Sequence, residues 1–519
     1  MNSAENGVRK VGAGKYGERN QIDKEMGLQE VRMLNKVLSS FDEAVADIPD
    51  GASIGIDSWG VAGTPQNLID AIRRKGVKDI TIITHVFVPQ LLDDLCFPAV
   101  LLPQMKKLIT SVVGFAALGA GAFVKEYVEK GLEVEITSHG TLASRLYAGA
   151  AGLGGFYNPV GVGTVLEEGK EKRVIEGKEY IFEKAIRPDY ALIRGYKADK
   201  LGNLVYRGVY RLNHPVMAMA ARVTIAEVDK IVKVGDIDPE HVITPGIFVD
   251  RIIEIPEEGF GTYKKEKELM AKVGTIGLGR KMLFKEQRLD LAEMKARGIK
   301  PRLDRDTIAM RVARELKSGD FVNLGMGMPG LCALHIPEGV VFQTENGALG
   351  YGPLVMDDEI EKAEFQYVDA GGRFFRKAPG MALFDILTSF TMIRSGRLIS
   401  IMGGLQVSEK GDLANWNPGG GILGGTLGGG MDLAWGAKRV IVTMEHTTKD
   451  GKSKIVRECT YPLTAKRCVD LIVTDLAVIE VTPNGLLLRE VAPGWTAEEV
   501  QALTEPKIII APDLKEIEL

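Results

Sequence analysis

Cysteine is scarce in this sequence, and its spacing excludes the common cysteine-based sites. The chain of 519 residues has four cysteines, with no Cys-x-x-Cys pair and no histidine at zinc-finger spacing. None of the six histidines has a second histidine three or four residues away. The sequence therefore predicts free thiols, a reducing compartment and no metal site.

Long apolar runs and an excess of positive charge are also missing. Residues 112–124 form the most apolar stretch, but it is rich in Gly and Ala and far short of the roughly 20 residues that span a membrane. The formal net charge is −4, whereas a nucleic-acid binder needs a basic face. The N-terminus lacks an apolar signal core, and its acidic residues Glu5, Glu18, Asp23 and Glu25 disfavour a matrix-targeting helix. We therefore expect a cytoplasmic protein with no membrane and no nucleic-acid partner.

The composition is that of a globular protein, with 45% hydrophobic and 26% charged residues. A chain of this length divides into roughly two to four domains. Helices are predicted at 42–48 and 67–75, and strands at 53–57 and 79–84. Strands that alternate with helices in this way are typical of a largely parallel α/β sheet, which binds its ligands at the carboxyl ends of the strands.

Three pairs of segments indicate an internal repeat. Residues 60–65 resemble 325–329, 192–204 resemble 401–413, and 222–228 resemble 439–445. Because the matches occur in the same order, we predict two similar α/β domains with largely parallel sheets, at 41–255 and 304–519. An N-terminal arm at 1–40 precedes them, and a charged linker at 256–303 joins them.

Glu345 is the carboxylate best placed to meet a ligand. It follows a predicted strand at 339–343 and precedes Asn346-Gly347 and further glycines. Glycines let a bulky substrate approach the main chain. The competing interpretation is a tight turn with an ordinary surface glutamate, since an Asn-Gly pair marks such turns.

Glycine clusters at 323–329 and 419–430 suggest a second feature of the site. A Gly-rich turn that leads into a helix presents free backbone N–H groups, which can hold a phosphate or an oxyanion. A dinucleotide site is disfavoured, because Gly325-x-Gly327 lacks the third glycine of that fingerprint. Simple turn formation stays open as an alternative. Gly-x-Ser-x-Gly is absent, so a hydrolase nucleophile elbow has no support.

Several motifs together resemble the class I CoA-transferases, and within them the succinyl-CoA:3-oxoacid CoA-transferases. They are Glu345-Asn346-Gly347 and the segments 323–329, 406–416, 428–433, 442–446 and 459–469. The likeness runs from about residue 41 to near the C-terminus, and is densest after residue 304.

The resemblance implies that Glu345 is a nucleophile that forms an acyl-glutamyl anhydride and then a glutamyl-CoA thioester. It implies oxyanion or CoA-binding roles for Asn323, Gly428 and Gly429, and a substrate pocket at Gly325, Met326 and Gly327. No metal or permanently bound cofactor is expected. The partners are acyl-CoA and free carboxylic acids, with CoA thioester as substrate, and the chain is expected to form a homodimer or a higher homo-oligomer.

Three departures from the family pattern concern the substrate side. Between residues 85 and 124, where the family has a polar segment that contains Asn, this chain has the segments 86–92 and 112–124, which are largely apolar. The family's Gly-Gly-Phe-Gly segment is Asp57-Ser58-Trp59-Gly60 here, and a lysine of the 3-oxoacid enzymes is replaced in 370–373, where Arg373 is a candidate to supply its charge. Our first hypothesis is CoA transfer between short acids, with acetoacetate, succinate or acetate as candidates. An acyl-CoA hydrolase and a non-catalytic CoA-binding protein are the alternatives.

Overall fold

The computed structural model describes residues 34–59, 63–89, 96–114, 120–262, 264–265, 300–335, 337–419 and 421–518. Residues 1–33 of the predicted arm, and 263 and 266–299 of the predicted linker, lie outside the described residues. The boundaries assigned to the arm, the linker and the two domains stay a prediction.

The first half alternates strands and helices. Its described helices are α1 (Phe41–Ala44), α2 (Gln66–Lys75), α3 (Lys125–Glu129), α4 (His139–Ala150) and α5 (His214–Ala220). Its described strands are β1 (Ser53–Ile56), β2 (Ile80–Ile83), β3 (Val86–Phe87), β4 (Met105–Thr110), β5 (Val112–Val113), β6 (Glu133–Ile136), β7 (Gly155–Asn158), β8 (Lys172–Ile175), β9 (Lys178–Lys184), β10 (Tyr190–Asp199), β11 (Leu204–Val205), β12 (Val223–Val232) and β13 (Arg251–Glu254).

The second half has a similar make-up. Its described helices are α6 (Arg305–Ala313), α7 (Met328–Leu331), α8 (Ile386–Ile393), α9 (Gly430–Gly436) and α10 (Ala497–Ala502). No helix in the described ranges of either half is long and apolar enough to cross a membrane. The described strands are β14 (Phe321–Leu324), β15 (Val341–Thr344), β16 (Ala348–Leu349), β17 (Ala382–Leu383), β18 (Ile399–Gly403), β19 (Gln406–Ser408), β20 (Leu413–Ala414), β21 (Arg439–Met444), β22 (Ile455–Val456), β23 (Leu471–Thr474), β24 (Ala477–Thr482), β25 (Gly485–Val491) and β26 (Ile508–Glu516).

The two main sheets repeat one strand order. The first runs β13-β12-β10-β1-β2-β4-β6 with parallel neighbours throughout. The second contains β23-β21-β18-β14-β15, again all parallel, and adds antiparallel strands at both ends. The segments that resemble each other in sequence occupy equivalent strands, since β10 corresponds to β18 and β12 to β21. The prediction of two similar α/β domains with largely parallel sheets is confirmed.

Burial of the central strands on both faces explains why these sheets are parallel and apolar. β1 and β18 consist almost entirely of buried residues, as expected for strands covered by helices on either side. Isoleucines 54, 56 and 82 lie in the core of the first half, and Val442 and Ile472 in that of the second. Each core also receives residues from the other half, since Met431 of α9 lies in the first and Ala143 of α4 in the second.

One predicted helix is shorter than expected. Residues 42–48 were predicted as a helix, whereas α1 is a single turn that ends at Ala44. Ser40 caps it by accepting a hydrogen bond from the Glu43 N–H at 3.1 Å. Pro49 follows so closely that Ile48 is disfavoured in helical geometry, and no second turn forms.

Candidate active site

Glu345 projects from a short loop whose geometry is fixed by its neighbours. β15 ends at Thr344, and Glu345 is the first of three residues that lead to β16. Asn346 accepts a hydrogen bond from the Thr344 hydroxyl at 2.8 Å and donates from Nδ2 to the Val368 carbonyl at 2.9 Å. Gly347 has a φ of +116°, which other residues avoid. The Asn-Gly pair therefore makes the turn and also sets the direction of Glu345.

Glu345 lines a cavity of about 330 Å³ between the two halves of the chain. Five of the other six residues predicted for the site line the same cavity: Asn323, Gly325, Met326, Gly428 and Gly429. The sixth, Gly327, does not line it and instead precedes α7 with a φ of +80°. The structure thus brings the two predicted glycine clusters to one carboxylate.

The backbone of Gly429 lies directly against the Glu345 carboxylate. A β-carbon at position 429 would overlap Glu345 Oε2 and lie 2.8 Å from Phe390 Cζ. Within the described part of the chain, no group accepts the Gly429 N–H and none donates a hydrogen bond to the Glu345 carboxylate. An unpaired donor beside an unpaired carboxylate is an arrangement suited to stabilising negative charge that develops there.

Asn323 lies on the cavity wall, but its amide is already bonded. Its Nδ2 donates to Gln343 Oε1 at 2.6 Å and to the Gln343 carbonyl at 3.4 Å. Gln343 in turn donates to the Ser389 hydroxyl at 2.7 Å. In this conformation Asn323 connects β14 to the strand that carries Glu345, and a bond to a substrate would require it to release Gln343.

The charge around Glu345 is negative. Burial and the nearby Asp432 carboxylate raise the pKa of Glu345 to about 8. Asp432 is fully buried in the first turn of α9, pairs with Arg394 and accepts the Gly140 N–H at 3.1 Å. Glu345 is therefore protonated in much of the free protein at neutral pH.

The first half contributes an unexpected cluster of buried polar rings. Asp57 pairs with His85 Nδ1 and also accepts the Asn213 N–H at 2.7 Å. The His85 and His139 rings meet edge to face with centroids 4.9 Å apart, and Trp59 lies over both. Burial acts to raise the pKa of Asp57, but its interactions with His85 and the Asn213 N–H outweigh burial and hold that pKa below its ordinary value. Burial lowers the pKa of His139, which is therefore neutral at physiological pH.

This cluster was missed because the histidines are far apart in sequence. Asp57 follows β1, His85 follows β2 and His139 starts the helix after β6. All three strands belong to one parallel sheet, so their carboxyl ends lie at one edge. That rule, applied to each polar residue that ends a predicted strand, could have found the group.

Arg373 does not supply a charge to the cavity. Its Nε donates to Asp369 Oδ2 at 2.8 Å and its Nη1 to the Gly330 carbonyl at 2.6 Å. The role suggested for Arg373 from the sequence is therefore not supported by its position. Its guanidinium instead ties the segment after β16 to α7.

Two of the four cysteines are buried and two are half-buried. All four cysteines are free thiols, as predicted. Burial raises the pKa of the Cys96 and Cys332 thiols to about 12. Across the residues that the structure describes, no three His, Cys, Asp or Glu side chains form a group that could hold a metal ion.

The fold and the site define a duplicated α/β protein with a buried carboxylate against a Gly-rich turn in a cavity between its halves. The chain belongs to the coenzyme A transferase family. The family model for coenzyme A transferase matches residues 38–255 and 305–503, which include all the residues of the cavity. The chain is accordingly a CoA-transferase enzyme.

Known proteins of this family are similar over long stretches. A succinyl-CoA:3-ketoacid coenzyme A transferase of Mus musculus is 38% identical over 501 residues, covering 91% of this chain and 89% of the relative. The acetate CoA-transferase subunit beta of Escherichia coli is 45% identical over 210 residues, 40% of this chain and 94% of the subunit. The crystal structure of an acyl-CoA transferase of Escherichia coli, 20% identical, superimposes with a TM-score of 0.70 over 93% of this chain and 95% of that chain, and shares its fold.

The expected cytoplasmic location is wrong by this comparison. The Mus musculus relative is named as a mitochondrial protein, and so are three further relatives that cover the same 91% of the chain. The prediction depended on the lack of an apolar signal core and on the acidic residues near the N-terminus, which are unusual in a matrix-targeting helix.

Proposed function

We propose that this enzyme moves CoA between short carboxylic acids through covalent intermediates on Glu345. The observation that supports this most directly is the position of the Glu345 carboxylate, which has no hydrogen-bond partner among the described residues and lies against the Gly429 backbone in a shared cavity. The candidates are the acids in the relatives' names, namely 3-keto acids, succinate and acetate.

In the first half-reaction, Glu345 must first lose its proton. The carboxylate oxygen then attacks the thioester carbonyl carbon of an acyl-CoA, the C–S bond breaks, and an acyl-glutamyl anhydride and a CoA thiolate form. The thiolate attacks the Glu345 carbonyl carbon, and the first acid leaves as a carboxylate. The enzyme now holds CoA as a thioester of Glu345.

The second half-reaction is the reverse with a different acid. Its carboxylate attacks the glutamyl thioester and releases the thiolate, which then attacks the carbonyl of the new acyl group. Glu345 is regenerated as a carboxylate and a new acyl-CoA leaves. No net proton transfer occurs, and the kinetics are expected to be ping-pong.

The glycine turn and Asn323 have the supporting roles in this proposal. The Gly429 N–H stabilises the oxyanion that forms at each carbonyl carbon, and Gly428 shapes the turn. Asn323 becomes a second donor when it releases Gln343. Gly325, Met326 and Gly327 contribute the segment along which the substrate binds.

Mass spectrometry tests the proposal. The protein is incubated with acetoacetyl-CoA, succinyl-CoA or acetyl-CoA, and its intact mass and peptides are analysed. A CoA adduct on the Glu345 peptide, discharged by a free acid as a new acyl-CoA, is the expected result. The Glu345→Gln variant, which has the same shape but no nucleophilic oxygen, should form no adduct.

The other outcomes separate the alternatives. Discharge by water alone would establish an acyl-CoA hydrolase. Retained binding of CoA without an adduct, in both the wild type and the Glu345→Gln variant, would establish a CoA-binding protein. The homodimer or higher oligomer is part of the same proposal, and light scattering on the purified chain measures it.

A further inference from the structure

The cavity beside Glu345 has an apolar wall. On the first-half side its apolar lining is Trp59, Val86 and Val112, and on the other side leucines and methionines alternate with glycines. Its remaining polar side chains are neutral: His139, Asn323, Asn415 and Thr426. Of the described residues that line the cavity, only Glu345 and His139 have ionisable side chains, and His139 is neutral.

Arg394 and Arg373 do not place a cation on the wall of this cavity. Arg394 is bonded to the buried Asp432, and Arg373 to Asp369. Neither arginine lines the cavity.

Trp59 is held in the wall from two directions. It packs against the apolar cluster that includes Val86 and Val112, and its ring lies over His85 and His139 with centroids 5.1 Å and 5.7 Å away. Asp57, two residues earlier, is anchored by its buried pair with His85. The indole therefore presents a fixed apolar surface to whatever acyl chain reaches Glu345.

A second carboxylate in this space would be unfavourable. Moving a charge from water into an apolar cavity without a cation is costly, and the nearby buried Asp432 carboxylate adds repulsion. A hydrocarbon chain of the same length would instead bury apolar surface against Trp59 and the leucines.

We propose that the acids this enzyme activates are monocarboxylic, with an apolar or 3-oxo chain, and that Trp59 is a specificity-determining residue for that chain. Dicarboxylic acids such as succinate are excluded by the charge of their distal carboxylate. This inference rests on the proposed function and narrows its candidate acids.

Butyrate and succinate provide a matched pair of acceptors, since both have four carbons and differ in the distal carboxylate. With acetyl-CoA as donor, the new acyl-CoA is quantified by chromatography. We expect kcat/KM for butyrate to exceed that for succinate by on the order of 100-fold, as an unpaired charge in an apolar site implies.

Two variants test whether Trp59 determines the specificity for the acyl chain. Trp59→Ala should lower kcat/KM for butyrate on the order of tenfold and that for acetate much less, because acetate is too short to use the indole surface. Trp59→Phe should retain most of the preference. Trp435→Ala, at an exposed tryptophan that does not line the cavity, is the control.

A gain-of-function variant keeps the inference testable if Trp59→Ala does not fold. Met326→Lys places a cation on the cavity wall, and the activity with succinate relative to butyrate should rise. Equal or better use of succinate by the wild type, with transfer that depends on Glu345, would overturn the substrate class and leave the transferase intact. No transfer to any acid would instead overturn the proposed function itself.

Discussion

Gly429 and Glu345 share a contact that no other residue type at position 429 would allow, because a β-carbon there would overlap Glu345 Oε2. We predict that Gly429→Ala displaces the carboxylate and lowers kcat by about 100-fold or more, since small misplacements of a reacting group have effects of that order. Stability should fall by only about 1–3 kcal/mol, as for other overpacked sites. Steady-state kinetics and a urea titration measure both effects.

Gly396→Ala is the matched control for this variant. Gly396 has a positive φ of +70°, unlike Gly429, but a β-carbon there would meet nothing within 4 Å. It should lose about 1 kcal/mol of stability through backbone strain and keep its turnover. If Gly429→Ala behaves in the same way, the contact with Glu345 has no catalytic significance.

The raised pKa of Glu345 predicts a pH dependence of the first half-reaction. Only the ionised carboxylate attacks a thioester, and its pKa in the free enzyme is about 8. The value of kcat/KM for acyl-CoA should therefore rise about tenfold per pH unit below pH 8 and level off above it. Stopped-flow detection of CoA release over pH 6 to 9 measures the profile.

The Asp432→Asn variant tests whether this pH profile reports the ionisation of Glu345. Its carboxylate contributes to the raised pKa of Glu345, after burial, so Asp432→Asn should move the midpoint to lower pH. A profile that is flat from pH 6 to 8.5 in the wild type would show that Glu345 is already ionised in the free enzyme.

The same pKa predicts how stability varies with pH. The folded protein binds the Glu345 proton more tightly than the unfolded chain, in which the pKa is 4.5. The contribution of Glu345 to the free energy of unfolding should therefore be most favourable below about pH 4.5. It should decrease by roughly 3–5 kcal/mol as the pH rises to about 8. Glu345→Gln removes this dependence, so its stability relative to the wild type should be higher at pH 8.5 than at pH 5.5 in guanidinium titrations.

Much of the fold could be predicted from the sequence because it depends on local patterns. The apolar segments around 192–204 and 401–413 predict buried strands, and their order predicts a duplicated parallel sheet. The position of Glu345 at the end of a strand was predictable for the same reason. Helix α1 was predicted too long, because the apolar pattern of 42–48 reflects packing against the core and not helical continuation past Ala44.

The surroundings of Glu345 could not be predicted, because they depend on contacts between distant segments. Asp432 belongs to a recognised motif, yet its partner Arg394 lies 38 residues earlier, immediately after α8. The pair of Asp57 and His85 spans 28 residues and two strands. Spacing along the chain contains no direct signal for such pairs, and only the sheet order brings them together.

Arg394 connects the two halves through Asp432, and its removal should be costly. Its Nε donates to Asp432 Oδ1 at 2.8 Å. Its Nη2 and Nη1 donate to the Thr141 and Ser144 hydroxyls of α4 at 3.1 Å and 3.2 Å. Arg394→Met leaves the fully buried Asp432 carboxylate unpaired, so we predict a loss of about 3–5 kcal/mol of stability. Thermal and chemical denaturation measure it.

Two further experiments show whether the loss of stability comes from the unpaired buried carboxylate. One uses a double variant and the other an exposed ion pair. Adding Asp432→Asn to Arg394→Met removes the unpaired carboxylate and should restore a large part of the loss, which a double-mutant cycle quantifies. Arg489 forms an exposed pair with Glu480, both about 40% exposed, and Arg489→Met should change stability by less than about 1 kcal/mol. Equal losses for Arg394→Met and Arg489→Met would mean that Asp432 is accessible to water, and the two halves would then be joined mainly by their apolar contacts.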